Sequence, residues 1–176
     1  MWGLITVNSV IGNINKDKKL HEEYEVLCRK GLCEKIMVSR LESQRTRMRK
    51  PTDKGTDIGL VLAQGTVLKK GDIVYLTEEK IIIVEIETES VAVLNFKSED
   101  SQDHDLFALA VRIGHSLGNL HRPIKVVGET IYVPIQADTE IDLLKKIFKP
   151  LQHHLDIAKD QIVFEPEEGM HTHEHK

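Results

Sequence analysis

The spacing of apolar positions changes character near the middle of the chain. Between residues 34 and 87 the apolar runs are short, often β-branched and separated by glycine turns: EKIMVSRL, IGLVLAQG, VLKKGDIVYL and KIIIVEIE. Runs of this kind predict strands. QRTRMRKP places Arg45, Arg47 and Arg49 at period two, on one face of an extended segment. TDKGTD predicts a turn centred on Gly55, and Lys-Gly-Asp within VLKKGDIVYL a hairpin-like turn with Gly71 free to take positive φ. Residues 17–30 are polar and read equally as a short helix or a loop.

After residue 90 the rhythm becomes mixed. VAVLNF, residues 91–96, is a strand, and SEDSQDHD supplies residues that suit a helix N-terminus. Leu106, Leu109, Ala110, Ile113 and Leu117 then recur at helical spacing, and Gly118 and Asn119 predict a left-handed helix stop. IKVV and TIYVPI are strands around a Gly128-Glu129 turn, TEIDLLKKIFKPL is a helix capped by Asp138 or Thr139, and QIVFE is a last strand. The order β-α-β-β-α-β is that of a split βαβ, ferredoxin-like domain with two helices over one face of an antiparallel sheet. The expected fold class is therefore α+β. A small all-β domain spans residues 1–88, the ferredoxin-like domain residues 89–165, and a mobile His-containing tail residues 166–176.

Composition narrows the function more than the fold. The 176 residues are 40% hydrophobic and 30% charged, the balance of a soluble globular protein. A formal charge of −4 makes no general case for nucleic-acid binding. No apolar run approaches the roughly 18 residues of a membrane span, and the N-terminal segment lacks the basic start of a signal peptide, so a cytoplasmic location is expected. Cys28 and Cys33 have no second pair for a structural zinc site and not the spacing of a redox C-x-x-C, which predicts free thiols. HEEYE fails as a zinc-protease motif because Glu25 stands where a second histidine is required. No nucleophile elbow or P-loop is present, so no residue set supports an enzymatic reaction.

The nine histidines are the anomaly, and they are unevenly placed. His21, His104, His153 and His154 read as surface residues; the last two follow a helix end, where partial positive charge is welcome. His171, His173 and His175 project to one side of an extended chain, and Glu174 adds an oxygen. Imidazole suits Ni, Cu and Zn. His121 follows the Gly118-Asn119 stop and supplies one ligand, so a two-fold axis must supply another. His115, six residues earlier, either adds to that site or flanks it. For the arginine stripe, a solvated strand face and docking onto an acidic partner both remain open.

These motifs in this order resemble the UreE family of urease accessory proteins, which are nickel metallochaperones. GNLH, residues 118–121, is similar to that family's G-N-x-H motif, whose histidine is a metal ligand at the dimer interface. RTRMRKPTDKGTDIGLVLAQGTVLKKGDIVYL is similar to its N-terminal domain, and FEPEEG followed by histidines resembles its C-terminus. The resemblance implies a first domain linked to partner binding and a second that binds metal and dimerises. It implies Ni(II) as the metal, with Zn(II) or Cu(II) also bound in vitro. Its partners are the urease-maturation GTPase, the urease apoprotein and the maturation complex. His115 does not fall on a metal position of the motif, and YVPIQADTE lacks the auxiliary histidines of some members.

The expectation is a homodimeric nickel carrier with His121 at the two-fold axis, joined by His171, His173 or His175. Two other classes compete with it: a metal buffer or sensor of another pathway, and a protein-interaction module whose histidines are incidental.

Overall fold

The computed structural model describes residues 3–97 and 103–165. It is an α+β fold whose contacts divide it into two compact units, residues 1–87 and 88–176.

The first unit contains β1 (Ile5–Val7), β2 (Gly12–Asn13), α1 (Lys18–Arg29), β3 (Cys33–Val38), β4 (Arg47–Pro51), β5 (Asp57–Val61), β6 (Asp72–Thr77) and β7 (Lys80–Ile86). They form two sheets, ordered β1-β5-β4 and β2-β6-β7-β3. The β1–β5 and β3–β7 pairs are parallel and the others antiparallel. Ile81 and Ile83 of β7 pack with Ile73 and with Leu27 of α1, and Leu20 and Tyr24 join them. The alternate residues Ile82 and Val84, with Ile36 and Val38 of β3, are buried on the opposite face, as period two requires.

Three expectations for this unit need correction. It is not all-β, because residues 18–29 form α1. Asp17 caps that helix by accepting from Lys19 N and Leu20 N, and Leu20, Tyr24 and Leu27 supply an apolar stripe at helical spacing. Cys28 and Cys33 are joined in a disulfide rather than free. Gly31, at φ 76, ends the helix with a tight turn into β3 and brings the two Cα atoms to 4.8 Å, within reach of a bridge. The segment before Gly71 is not a strand, so the turn there is not a hairpin. Gly71 does take positive φ (84°), and a Cβ at this position would lie 2.4 Å from Asn15 Nδ2.

A buried polar network links the two sheets. Glu34 of β3, only 6% exposed, lies 2.6 Å from Lys80 Nζ and accepts a hydrogen bond from Thr52 Oγ1 at 2.6 Å. Lys80 also donates to Thr56 Oγ1, and Thr56 N donates to Thr52 Oγ1. The Thr52–Thr56 turn that joins β4 to β5 is thereby fastened to β3 and β7. Burial works against ionisation of Glu34, but Lys80, Thr52 and Thr56 outweigh it and hold the carboxyl below the ordinary range. Glu42 is brought down to about 2 by Lys50 Nζ at 2.7 Å and by the Ser39 amide.

The second unit contains β8 (Glu89–Phe96), α2 (Asp103–Asn119), β9 (Lys125–Val127), β10 (Thr130–Pro134), α3 (Thr139–Ile147) and β11 (Leu155–Ile162). Its sheet is antiparallel and ordered β11-β8-β10-β9. Leu109, Ile113 and Leu117 of α2 and Ile141 and Leu144 of α3 pack on Ala92, Leu94, Ile131 and Val133, so both helices cover one face. Val91, Val93 and Phe164 form a smaller cluster with Tyr132 and Ile162. The last strand begins earlier than expected, at Leu155, and its long antiparallel pairing with β8 explains why: eight residues find partners there. Ala110 is exposed, not buried with its helical neighbours.

Lys80→Met strands the buried Glu34 carboxylate, and a loss of about 3 kcal/mol in urea denaturation is expected at pH 7. Acid should weaken the fold in a defined direction. The folded Glu34 and Glu42 carboxylates bind protons less readily than in the unfolded chain. Their stabilisation is therefore complete above the ordinary value of 4.5 and fades as pH falls below it, for Glu42 towards about 2. Denaturation of Glu42→Gln across this range should show a flatter pH dependence than the parent.

Candidate metal centre

His121 stands on the segment that leaves α2, and its backbone is unusual. The helix does not stop at a left-handed Gly118 or Asn119; the left-handed residue is His121 itself, at φ 50. Among residues other than glycine, histidine is one of the few types enriched in that region, though at a conformational cost. Leu120 N and His121 N donate to Leu117 O and Gly118 O, tightening the last turn before the chain turns away.

The flanking residues hold this geometry. Leu120 and Ile124 pack against the helix–sheet core on either side. Between them Arg122 forms an ion pair with Glu140 near the start of α3. The second Glu140 oxygen accepts from Gln136 N (2.8 Å) and Ala137 N (3.2 Å). Asp138 is the N-cap residue of α3, as expected, but makes no side-chain capping bond; its carboxylate meets Lys159, while Glu140 accepts from the two amides just before the helix. Pro123 fixes one more backbone angle of the loop. With its neighbours anchored, the His121 side chain is exposed.

The remaining sequence candidates distribute as follows. His115 is exposed on α2, its Nε2 lying 3.2 Å from Asn119 Nδ2. His21 sits on α1 with Nε2 3.6 Å from Glu25 Oε1, and His153 and His154 are exposed before β11. His171, His173 and His175 lie outside the described residues. Among the described residues no group of three or more His, Cys, Asp or Glu side chains converges. Arg47 and Arg49 fall on β4 with both side chains exposed, and Arg45 is exposed just before it.

Sequence reasoning missed the outer face of α2. Phe107 (73% exposed), Ala110, Val111 (55%) and Gly114 form a stripe at helical spacing that leads along the helix towards Gly118. A Cβ at Gly114 or Gly118 would meet nothing within 4 Å. Glycine inside a helix costs roughly 1 kcal/mol relative to alanine, and among the described residues no contact requires it at these two positions. The signal was available: apolar and small residues at 107, 110, 111 and 114 accompany the core residues 109, 113 and 117, making this helix apolar on two faces. An open apolar groove of about 370 Å³ continues the stripe, lined by Phe96, Ala110, Gly114, Ile124, Val126 and Ile131.

Comparison with known proteins places the chain among relatives. Residues 7–87 match the family model described as the UreE urease accessory protein, N-terminal domain. A protein named urease accessory protein UreE from Natronomonas pharaonis is 34% identical over 135 residues, covering 77% of this chain and 61% of the relative. Proteins of the same name from Yersinia aldovae and Yersinia pestis are 29% and 27% identical, over 77% of this chain and 59% and 58% of their own lengths. The chain belongs to the UreE family. It spans about three-fifths of the length of these relatives. Among the described residues, no helix is long and apolar enough to cross a membrane.

A left-handed histidine carries a cost that glycine avoids. His121→Gly should therefore raise the stability of the metal-free chain by about 1 kcal/mol in thermal or urea unfolding. Loss of stability in that variant would mean that the ring, and not the backbone, holds the loop. Glu140→Ala should act in the opposite direction, costing about 1–3 kcal/mol and speeding amide exchange at residues 120–124.

Proposed function

We propose that this chain is a nickel metallochaperone that carries Ni(II) to the urease apoprotein while the urease active site is assembled. The observation that carries the reading is the placement of His121. A single imidazole is displayed from an anchored, left-handed backbone beside an exposed apolar helix face. One imidazole does not make a site, and a two-fold axis supplies a second without any further residue. The stripe of Phe107, Val111 and Gly114 suits burial against its own copy, with glycine letting two helix backbones approach. In this reading the ion is cargo, held between subunits by two His121 rings and by tail histidines from among His171, His173 and His175.

Residues 89–165 form the metal-binding and dimerising domain in this proposal, residues 1–88 the partner-binding domain, and residues 166–176 a mobile tail that helps to pass the ion on. The partners are the urease-maturation GTPase and the maturation complex of the apoprotein. Imidazole ligands favour Ni(II) and leave room for Zn(II) or Cu(II) in vitro. The setting is cytoplasmic. No catalytic step is part of the reading. Nickel-dependent contact with the maturation GTPase separates it from a buffer or sensor of another pathway.

Calorimetric titration with nickel tests this on tag-free protein. One tight site per dimer is expected. Its affinity should fall at least about tenfold in His121→Ala and less in a chain ending at Gly169. Because ligating rings must be neutral, binding should also weaken as pH drops below about 6. Unchanged stoichiometry and affinity in His121→Ala would overturn the site. In sedimentation, Val111→Glu should shift the metal-free protein towards monomer; a dimer of unchanged strength would remove the α2 face from the proposal.

A further inference from the structure

β4 is the outer strand of the β1-β5-β4 sheet, and its register determines which backbone groups are unspent. Leu62 N donates to Thr46 O, and Thr52 N donates to Thr56 O. Between these bonds the pairs run Arg47–Val61, Met48–Leu60, Arg49–Gly59 and Lys50–Ile58. Antiparallel ladders alternate bonded with non-bonded pairs. Met48 and Lys50 therefore direct their N–H and C=O groups to β5, and Arg47 and Arg49 direct theirs outward. Among the described residues no turn or loop takes up either outward N–H. Pro51, with no N–H to offer, ends the open stretch.

The side chains along this edge are basic and only partly neutralised. Arg49 is paired with Asp57 at 2.6 Å, and Lys50 is paired with Glu42 and Glu87. Arg45 and Arg47 are exposed and form no ion pair among the described residues. Val61, directly across from Arg47, is 40% exposed and adds an aliphatic footing beside the charge. In a chain of formal charge −4, this is a local reversal of sign.

We infer that the β4 edge is a docking site for an extended acidic segment of a partner protein, which adds as a further strand beside Arg47–Arg49 and sets carboxylates against Arg45 and Arg47. Strand addition draws affinity from main-chain bonds and selectivity from the side chains facing the edge. A second copy of this edge is a poor occupant, because pairing it with itself brings arginine against arginine. A nucleic acid could meet the arginines but offers no strand ladder to the outward groups. The inference concerns residues of the first unit only and does not depend on nickel or on His121.

The test uses the full chain and a synthetic peptide of alternating Glu and Val. In the free protein, amide exchange followed by NMR should be at least about tenfold slower at Met48 and Lys50 than at Arg47 and Arg49. Saturating peptide should then slow Arg47 and Arg49 specifically. Combined Arg45→Glu and Arg47→Glu, with thermal unfolding unchanged, should weaken the peptide at least about tenfold. A Lys-for-Glu peptide should not bind. Absence of binding, unchanged affinity after charge reversal, or binding without protection of the two arginine amides would each overturn the inference. So would equal competition by a single-stranded oligonucleotide, which would assign the edge to general polyanion contact.

Discussion

Glu140 is the residue on which the geometry of the α2 exit depends. One carboxylate oxygen holds the turn that enters α3 by accepting from Gln136 and Ala137, and the other meets Arg122. The start of one helix is thereby tied to the segment leaving the other. Without the tie, an exposed left-handed histidine between a helix end and a proline has a conformational reason to relax. With Leu120 and Ile124 seated in the core on either side, the loop has few alternatives. The imidazole can then be exposed without its backbone being free. If the ring is shared across a symmetry axis, as proposed, this matters twice, because any displacement of one ring is repeated in the other.

The same helix that leads to His121 has to satisfy two surfaces. Leu109, Ile113 and Leu117 face the sheet and account for its folding. Phe107, Val111 and the two glycines lie on the exposed side, with most of the Phe107 side chain open to water. Such a face is costly to leave in water and adds a risk of aggregation. Burial against a second copy, as proposed, would remove that cost and bring the histidine at the far end of the helix close to its counterpart.

Much of this was legible in the sequence because it rests on local periodicity. The order of elements from residue 90 onward, the β-rich character of residues 34–87, the turn at Gly55 and the positive φ of Gly71 follow from pattern and turn chemistry. What was not legible depended on long-range partners. Residues 17–30 are too polar for periodicity to decide, and α1 forms because Leu20, Tyr24 and Leu27 meet Ile73, Ile81 and Ile83 from distant strands. Gly118 and Asn119 have the local propensity for a left-handed stop. Yet the structure gives that conformation to His121, where Arg122 and Glu140 can hold it. The thiols were judged from the compartment, whereas their approach is set by the Gly31 turn. Glu34 could not be recognised as buried, since Thr52, Thr56 and Lys80 reach it from other elements.

The two candidate surfaces answer to different variables, which makes their contributions separable. Imidazole ligation is lost on protonation, so it responds to mild acid. Arginine keeps its charge throughout the range in which a protein stays folded, so an arginine-lined edge is insensitive to that change. Salt acts in the opposite sense: exposed arginines are screened within about 8 Å at physiological ionic strength, whereas a coordinate bond to nickel is not a screened interaction. A partner held by the β4 edge would thus remain attached in acid and dissociate in salt, and the ion would do the reverse. If both proposals hold, the ion can be released without the chain leaving its partner.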